Sequence, residues 1–219
     1  ADEADSDSDG LVSDESTETV TTSTTNTGSI ITGSASQDTV AFQSSGTAAH
    51  TIDLAGGNDE ITAANTIAAD DVLEGGAGTD TLNFGANAAD LTGLTTVTGF
   101  EVVEVNGAQT VTLDDENIDD AGGSVTINET GANAAVTVSA AVSAGKTVIL
   151  GEALSYTLAN VDGNRVTIAD EADSDSDGLV SDESTETVTT STTNTGSIIT
   201  GSASQDTVAV QSSGTAAHT

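Results

Sequence analysis

The chain has 219 residues, 36 of them acidic and 2 basic, for a formal net charge of −34. That charge excludes nucleic acid as a partner, because phosphate contacts need Lys and Arg, and it disfavours an anionic membrane surface. The absence of Cys excludes disulfides, zinc–thiolate sites and thiol catalysis together, and no apolar stretch reaches the length of a membrane span, so no membrane insertion is expected.

High net charge is also a mark of disorder. Yet 35% of the residues are apolar, and they come in short, evenly spaced runs that a disordered chain has no reason to keep. A fold whose charge is offset by bound cations accounts for both, and calcium, which takes oxygen ligands, is the natural ion. The chain opens on Ala1 without a visible leader, as a processed product or a piece of a longer protein would.

The first element is the acidic run "ADSDSDGLVSDE", Ala4–Glu15. Asp5, Asp7, Asp9 and Gly10 fall at positions 1, 3, 5 and 6 of an EF-hand loop, but the twelfth position is Ser16 in place of Glu and no helix-forming sequence flanks it. Two readings stay open: a solvated acidic turn with no fixed ion, and a calcium site inside a larger periodic fold, completed by Asp14 or Glu15. The run returns letter for letter at 172–183, with Asp173, Asp175 and Asp177. Residues 1–51 and 169–219 are in fact one sequence written twice, differing only at Phe42 and Val210. Residues 1–168 therefore read as one repeat unit, and 169–219 as the start of the next.

A shorter period follows. "GSASQDTVA" (Gly33–Ala41), "LAGGNDEIT" (Leu54–Thr62) and "GGAGTDTLN" (Gly75–Asn83) put Asp38, Asp59 and Asp80 at intervals of 21 residues, with Glu101 one step on. In the same frame run an apolar column, Val20, Val40, Ile61, Leu82, Val103, Val125, Val148, Val166 and Val188, and a second halfway between, from Leu11, Ile31, Ile52, Leu73 and Leu94 through Leu113, Val136 and Leu158 to Leu179 and Ile199. Runs such as Thr110-Val111-Thr112 alternate polar and apolar, as half-buried strands do. The expected fold is all-β: a β-solenoid, β-roll or parallel β-helix-like, with about 21 residues and two strands per coil. The 168-residue unit then holds eight whole coils, about 38 Å of stacked strands. No persistent helical pattern is present, and no helix is predicted.

Side chains suited to catalysis are sparse. His50 and His218 are one repeat position seen twice, in "AAHT", and are expected on the surface at a strand start. Lys146 and Arg165 are the only cations, and no phosphate loop is present. The pairs Asp70/Asp71, Asp114/Asp115 and Asp119/Asp120 are poor catalytic partners, since neighbours on a strand face opposite ways. They read better as solvated or metal-binding turns, Asp70 and Asp71 among the candidate ligands. The chain is not expected to be an enzyme. Threonine pairs could line an ice-binding face, but they hold no fixed phase in the 21-residue frame. Phe42, Phe84, Phe100 and Tyr156 are few for a sugar platform.

"GGAGTDTLN" fits G-G-x-G-x-D-x-U-x at every defined position, the repeat in which RTX proteins bind calcium. On these residues the chain resembles the RTX, or haemolysin-type calcium-binding, family of secreted bacterial proteins. The resemblance covers Gly33–Asn83; beyond it only the period continues. It implies calcium held by Gly75, Gly76, Gly78 and Asp80, by Gly56, Gly57 and Asp59, and by Gly33 and Asp38, where serines replace two of the family's glycines. The motif appears once per 21 residues here, whereas the family runs nonapeptides back to back. "TGFEVVEVNGAQTVTLD" (Thr98–Asp114) is similar to phrases in secreted surface-layer and adhesin proteins. The expected role is then structural: a secreted, calcium-stabilised repeat of a surface layer, cell-surface filament or giant adhesin, whose partners are calcium and further copies of itself, head to tail or in tandem. The alternatives are an accessory repeat of a secreted polysaccharide-active enzyme and a module binding ice or a surface polysaccharide.

Overall fold

The computed structural model describes residues 18–21, 28–43, 49–64, 67–87, 89–106, 109–129, 135–140, 146–150, 155–158, 165–168, 187–190, 198–200 and 207–209. Its strands pair only in parallel and stack as a β-solenoid. The long sheet holds β1 (Glu18–Thr21), β3 (Asp38–Phe42), β6 (Glu60–Ala63), β9 (Thr81–Asn83), β12 (Val102–Val105), β14 (Ser124–Glu129), β16 (Thr147–Leu150), β18 (Arg165–Ile168) and β20 (Ile198–Thr200), in that spatial order. A four-stranded sheet holds β2 (Ile30–Thr32), β4 (Thr51–Asp53), β7 (Val72–Glu74) and β11 (Val97–Thr98), and β5 (Gly56–Gly57) pairs with β8 (Ala77–Gly78) beside it. A six-stranded sheet holds β10 (Ala89–Asp90), β13 (Thr110–Leu113), β15 (Ala135–Ala140), β17 (Ser155–Leu158), β19 (Thr187–Thr190) and β21 (Thr207–Ala209).

Alternation in sequence sets which way each strand faces. In β3, Asp38, Val40 and Phe42 are buried while Thr39 and Ala41 are half-buried. Val20, Val40, Ile61, Leu82 and Val103 stand one above another in the long sheet, as the 21-residue column predicts. With Ile52, Leu54 and Leu73 from the neighbouring face they close a dry interior, in which Phe42, Ile61 and Leu82 have no exposed surface. Burying one such side chain contributes about 1.5–3 kcal/mol.

The second column is not continuous. Ile31, Ile52 and Leu73 are followed by Val97 in the four-stranded sheet, while Leu94 is buried in the turn before it and Leu113, Val136 and Leu158 belong to the six-stranded sheet. From β9 the chain visits first β10 and then β11 before returning to β12, so that coil has three faces rather than two. Past β12 the step lengths also change: Val103 lies beside Ile127, Val125 beside Val148, Val148 beside Val166 and Val166 beside Ile199. Since Val125 and Ile127 are two residues apart, a shift between them keeps an inward-facing residue on the core side.

Two further expectations are corrected. The counterpart of β1 in the second copy, β19, pairs in the six-stranded sheet and not in the long one. The unit therefore does not advance by whole coils in these strands, because its later steps depart from 21. A short helix, α1 (Asp115–Asp120), also forms where none was predicted. Asp114 is its cap: its carboxylate accepts from the main-chain N–H groups of Glu116 and Asn117, and Asn117 Oδ1 accepts from the Asp114 N–H at 3.0 Å. Ile118, fully buried, ties the helix to the core.

Candidate metal centre in the stacked glycine turns

The turns before β3, β6 and β9 lie one above another, and their aspartates form a ladder. The Asp38 N–H donates to Asp59 Oδ1, the Asp59 N–H to Asp80 Oδ1 and the Asp80 N–H to Glu101 Oε2, each at 2.8 Å and each across 21 residues. Every acid thus satisfies the main chain of the coil before it. Asp38, Asp59 and Asp80 are all buried, at 5%, 1% and 0% exposure.

One oxygen of each carboxylate is spent in this way, and the other distinguishes the turns. Asp38 Oδ2 accepts from the Ser34 N–H at 2.7 Å and from the Ser34 hydroxyl at 3.3 Å. Asp59 Oδ2 and Asp80 Oδ2 are buried with no hydrogen-bond partner, the two carboxylate oxygens in that state among the described residues. The serine that breaks the glycine pattern at the first turn therefore supplies the donor that the other two turns lack. An unpaired buried carboxylate is costly, and both groups respond: burial first, then the neighbouring acids, pushes Asp59 up to about 6 and raises Asp80 as well.

The glycines let the turns stack this closely. A Cβ on Gly78 would overlap the Gly57 carbonyl oxygen, and one on Gly57 would meet the Ser36 carbonyl oxygen and Asp59 Oδ1, both at 2.7 Å. Gly57 and Gly78 also sit at φ of 135° and 142°, a region L-residues rarely adopt. Gly56 differs, since its nearest neighbour would be the Ala77 carbonyl oxygen at 3.5 Å. One residue outside the acidic ladder, the Thr79 N–H donates to Asn58 Oδ1 at 3.0 Å, a parallel rung on the solvent side.

The unpaired oxygens of Asp59 and Asp80, at turns with carbonyl oxygens close by, suit a hard cation. No group of three or more His, Asp or Glu side chains that could hold a metal occurs among the described residues, so an ion here would depend on main-chain oxygens as well. Asp70 is exposed on its turn, whereas Asp71 is buried with both oxygens engaged, Oδ1 by the His50 N–H at 3.0 Å and Oδ2 by the Ala68 N–H at 2.8 Å. Asp71 is thus an anchor of the fold. Asp5, Asp7, Asp9, Asp14, Asp173, Asp175 and Asp177 lie outside the described residues.

His50 is not on the surface. It has no exposed area, packs edge-on against Phe42 with ring centroids 5.3 Å apart, and accepts the Ser29 N–H on Nδ1 at 3.1 Å. Ser29, His50 and Asp71 thereby make a second ladder with the same 21-residue step. The histidine does the job an aspartate does elsewhere, and the frame that links it to Asp71 was the signal for it.

Compared with family models, curated proteins and solved structures, the chain matches none.

Proposed function

We propose that this chain is a structural repeat, secreted and displayed at a bacterial surface as part of a surface layer, filament or giant adhesin, and that calcium stabilises its coils. The unit of 168 residues recurs in tandem or in contact with further copies, forming a stiff rod. The observation that carries the reading is the pair of buried, unpaired oxygens on Asp59 and Asp80. These two residues would hold the ion together with main-chain oxygens of the turns at Gly57 and Gly78. When bound, it supplies positive charge to a column of carboxylates that otherwise repel one another. Ligands preorganised in the folded coil and scattered in the unfolded chain make ion binding part of folding. Circular dichroism in chelator and in millimolar calcium tests this: β content should be gained on adding the ion, and equal β content in both would reject it.

A second reading has its own support. Parallel pairing sets Thr110, Thr137, Thr157 and Thr189 side by side in the six-stranded sheet, with Ser155, Thr187 and Thr207 in the row two residues away. Thr110 is exposed in β13 while Val111 is buried. Rows of hydroxyls at regular strand spacing suit an ordered surface, ice or a packed polysaccharide. The sugar-platform version lacks aromatic support, because Phe42, Phe84 and Phe100 are all buried. Ice recrystallisation assays on the chain and on its Thr137→Val/Thr157→Val variant distinguish this reading, which requires activity in the first and loss in the second.

A further inference from the structure

Residues 1–51 and 169–219 differ only at Phe42 and Val210, and the fold seats these copies on different supports. β1 and β3 pair with Thr19 beside Thr39 and Val20 beside Val40; β19 and β21 pair with Thr187 beside Thr207 and Val188 beside Val208, the same register at matching positions. Yet β3 lies in the long sheet and β21 in the six-stranded sheet, while β2 lies in the four-stranded sheet and β20 in the long one. The segment carries its own strand instructions and accepts either seat.

In the first copy the following coil covers it. β4 lies on β2 with Thr51 beside Ile30, and β6 lies on β3 with Ile61 beside Val40. β20 and β21 instead end their sheets among the described residues, and Val208 is 40% exposed. An uncovered strand edge is a template for another strand, and the strands that fit this edge are known from the first copy: β4 and β6.

We propose that residues 169–219 of one chain can replace residues 1–51 on β4 and β6 of a second copy, joining chains head to tail by strand exchange. Exchange of an identical element between copies forms no contact that the fold does not already make. The segment to be displaced lies at the end of the solenoid, where Ile30 is 86% and Val20 40% exposed, so it opens before the interior coils. The one differing residue sets the balance. Phe42 is fully buried edge-on to His50; valine in that seat leaves unfilled volume, so each chain's own segment is preferred and exchange is held back. This deepens the reading that the chain associates with copies of itself, and it stands on strand register rather than on calcium.

The chain has no cysteine, and Ile30 and Thr51 are paired and exposed, which gives a direct test. Full-length Ile198→Cys and Thr51→Cys chains are mixed in a thiol-disulfide buffer with millimolar calcium, and Thr79→Cys, exposed on a turn, serves as the off-register control. Exchange gives a mixed disulfide with Thr51→Cys in clear excess over Thr79→Cys. Adding Val210→Phe to the Ile198→Cys chain fills the seat and raises the exchange constant by about tenfold or more. Phe42→Val in the Thr51→Cys chain weakens the resident segment and raises it too. Equal crosslinking at Thr51 and Thr79, or a yield indifferent to both core changes, overturns the proposal. Repeating the mixture in chelator separates the two ideas: β content and the Thr51 crosslink both retained there would reject calcium dependence and sustain exchange.

Discussion

Asp80 accepts the main-chain N–H of Asp59 at 2.8 Å through Oδ1, while its Oδ2 is buried without a partner. One oxygen is structural and the other available, and two substitutions separate those roles. Asp80→Ala strands the buried Asp59 N–H and should cost about 1–3 kcal/mol, in calcium or in chelator. Asp80→Asn keeps an acceptor for that N–H and removes the charge. Its urea midpoint in chelator should equal or exceed that of the parent chain, and its gain on adding calcium should be smaller. An unchanged calcium gain in Asp80→Asn would remove Asp80 from the site.

The same ladder fixes the pH dependence of the metal-free chain. Burial pushes Asp59 up to about 6 and raises Asp80, above the ordinary aspartate value of 3.8 that applies when the chain is unfolded. The folded state therefore binds more protons than the unfolded state between roughly pH 4 and 6. The stabilisation from protonating these groups is complete below the unfolded value and is lost as pH rises through the folded one. Urea titrations in chelator should show stability rising as pH is lowered from 7 to 4.5. Calcium competes with those protons, so with the ion present the slope should flatten or reverse. A metal-free chain that loses stability over this range would contradict the assignment.

Glycine is needed where coils touch, and not elsewhere in the same motif. At Gly78 an added Cβ would overlap the Gly57 carbonyl oxygen, at a φ of 142°. Gly78→Ala should cost well over about 1 kcal/mol, the usual scale for a strained backbone position. Gly56→Ala meets nothing closer than 3.5 Å and should fall within about 0.5 kcal/mol of the parent. Thermal melts of the two variants under one buffer condition give the comparison.

The stacked turns were legible because Asp38, Asp59 and Asp80 repeat with the hydrophobic residues that follow them, Val40, Ile61 and Leu82. Motif and period agreed there, and the paired strands keep that step of 21. Past Val103 no motif pins the turns. Alternation then fixes which residues face inward but not which coil each strand pairs with, and Val103 meets Ile127 where the frame pointed to Val125. The threonine rows were hidden for the same reason: Thr110, Thr137 and Thr157 are unevenly spaced in sequence, and only strand pairing aligns them. The state of Asp38 turned on a single donor, Ser34, whose presence was visible as a broken glycine pattern but whose bond to Oδ2 was not.

His50 was the hardest residue to read, and it yields a sharp prediction. A lone imidazole beside small residues carries no sequence mark of burial. Its place in the second ladder follows from the 21-residue steps to Ser29 and Asp71. Because Nδ1 accepts the Ser29 N–H, the ring proton resides on Nε2, which is buried without a partner. His50→Ala removes that acceptor and opens a cavity against Phe42, and should cost about 2–4 kcal/mol. His50→Asn retains a short acceptor and should recover part of the loss. His50→Phe restores the ring but leaves the Ser29 N–H unpaired, so it should remain less stable than the parent chain. A cycle pairing His50→Ala with Phe42→Leu isolates the edge-on contact, expected at about 0.5–1.5 kcal/mol. Urea denaturation with unchanged m-values, read by circular dichroism in calcium, supplies all four numbers. A His50→Ala chain as stable as the parent would mean that the second ladder bears none of the load.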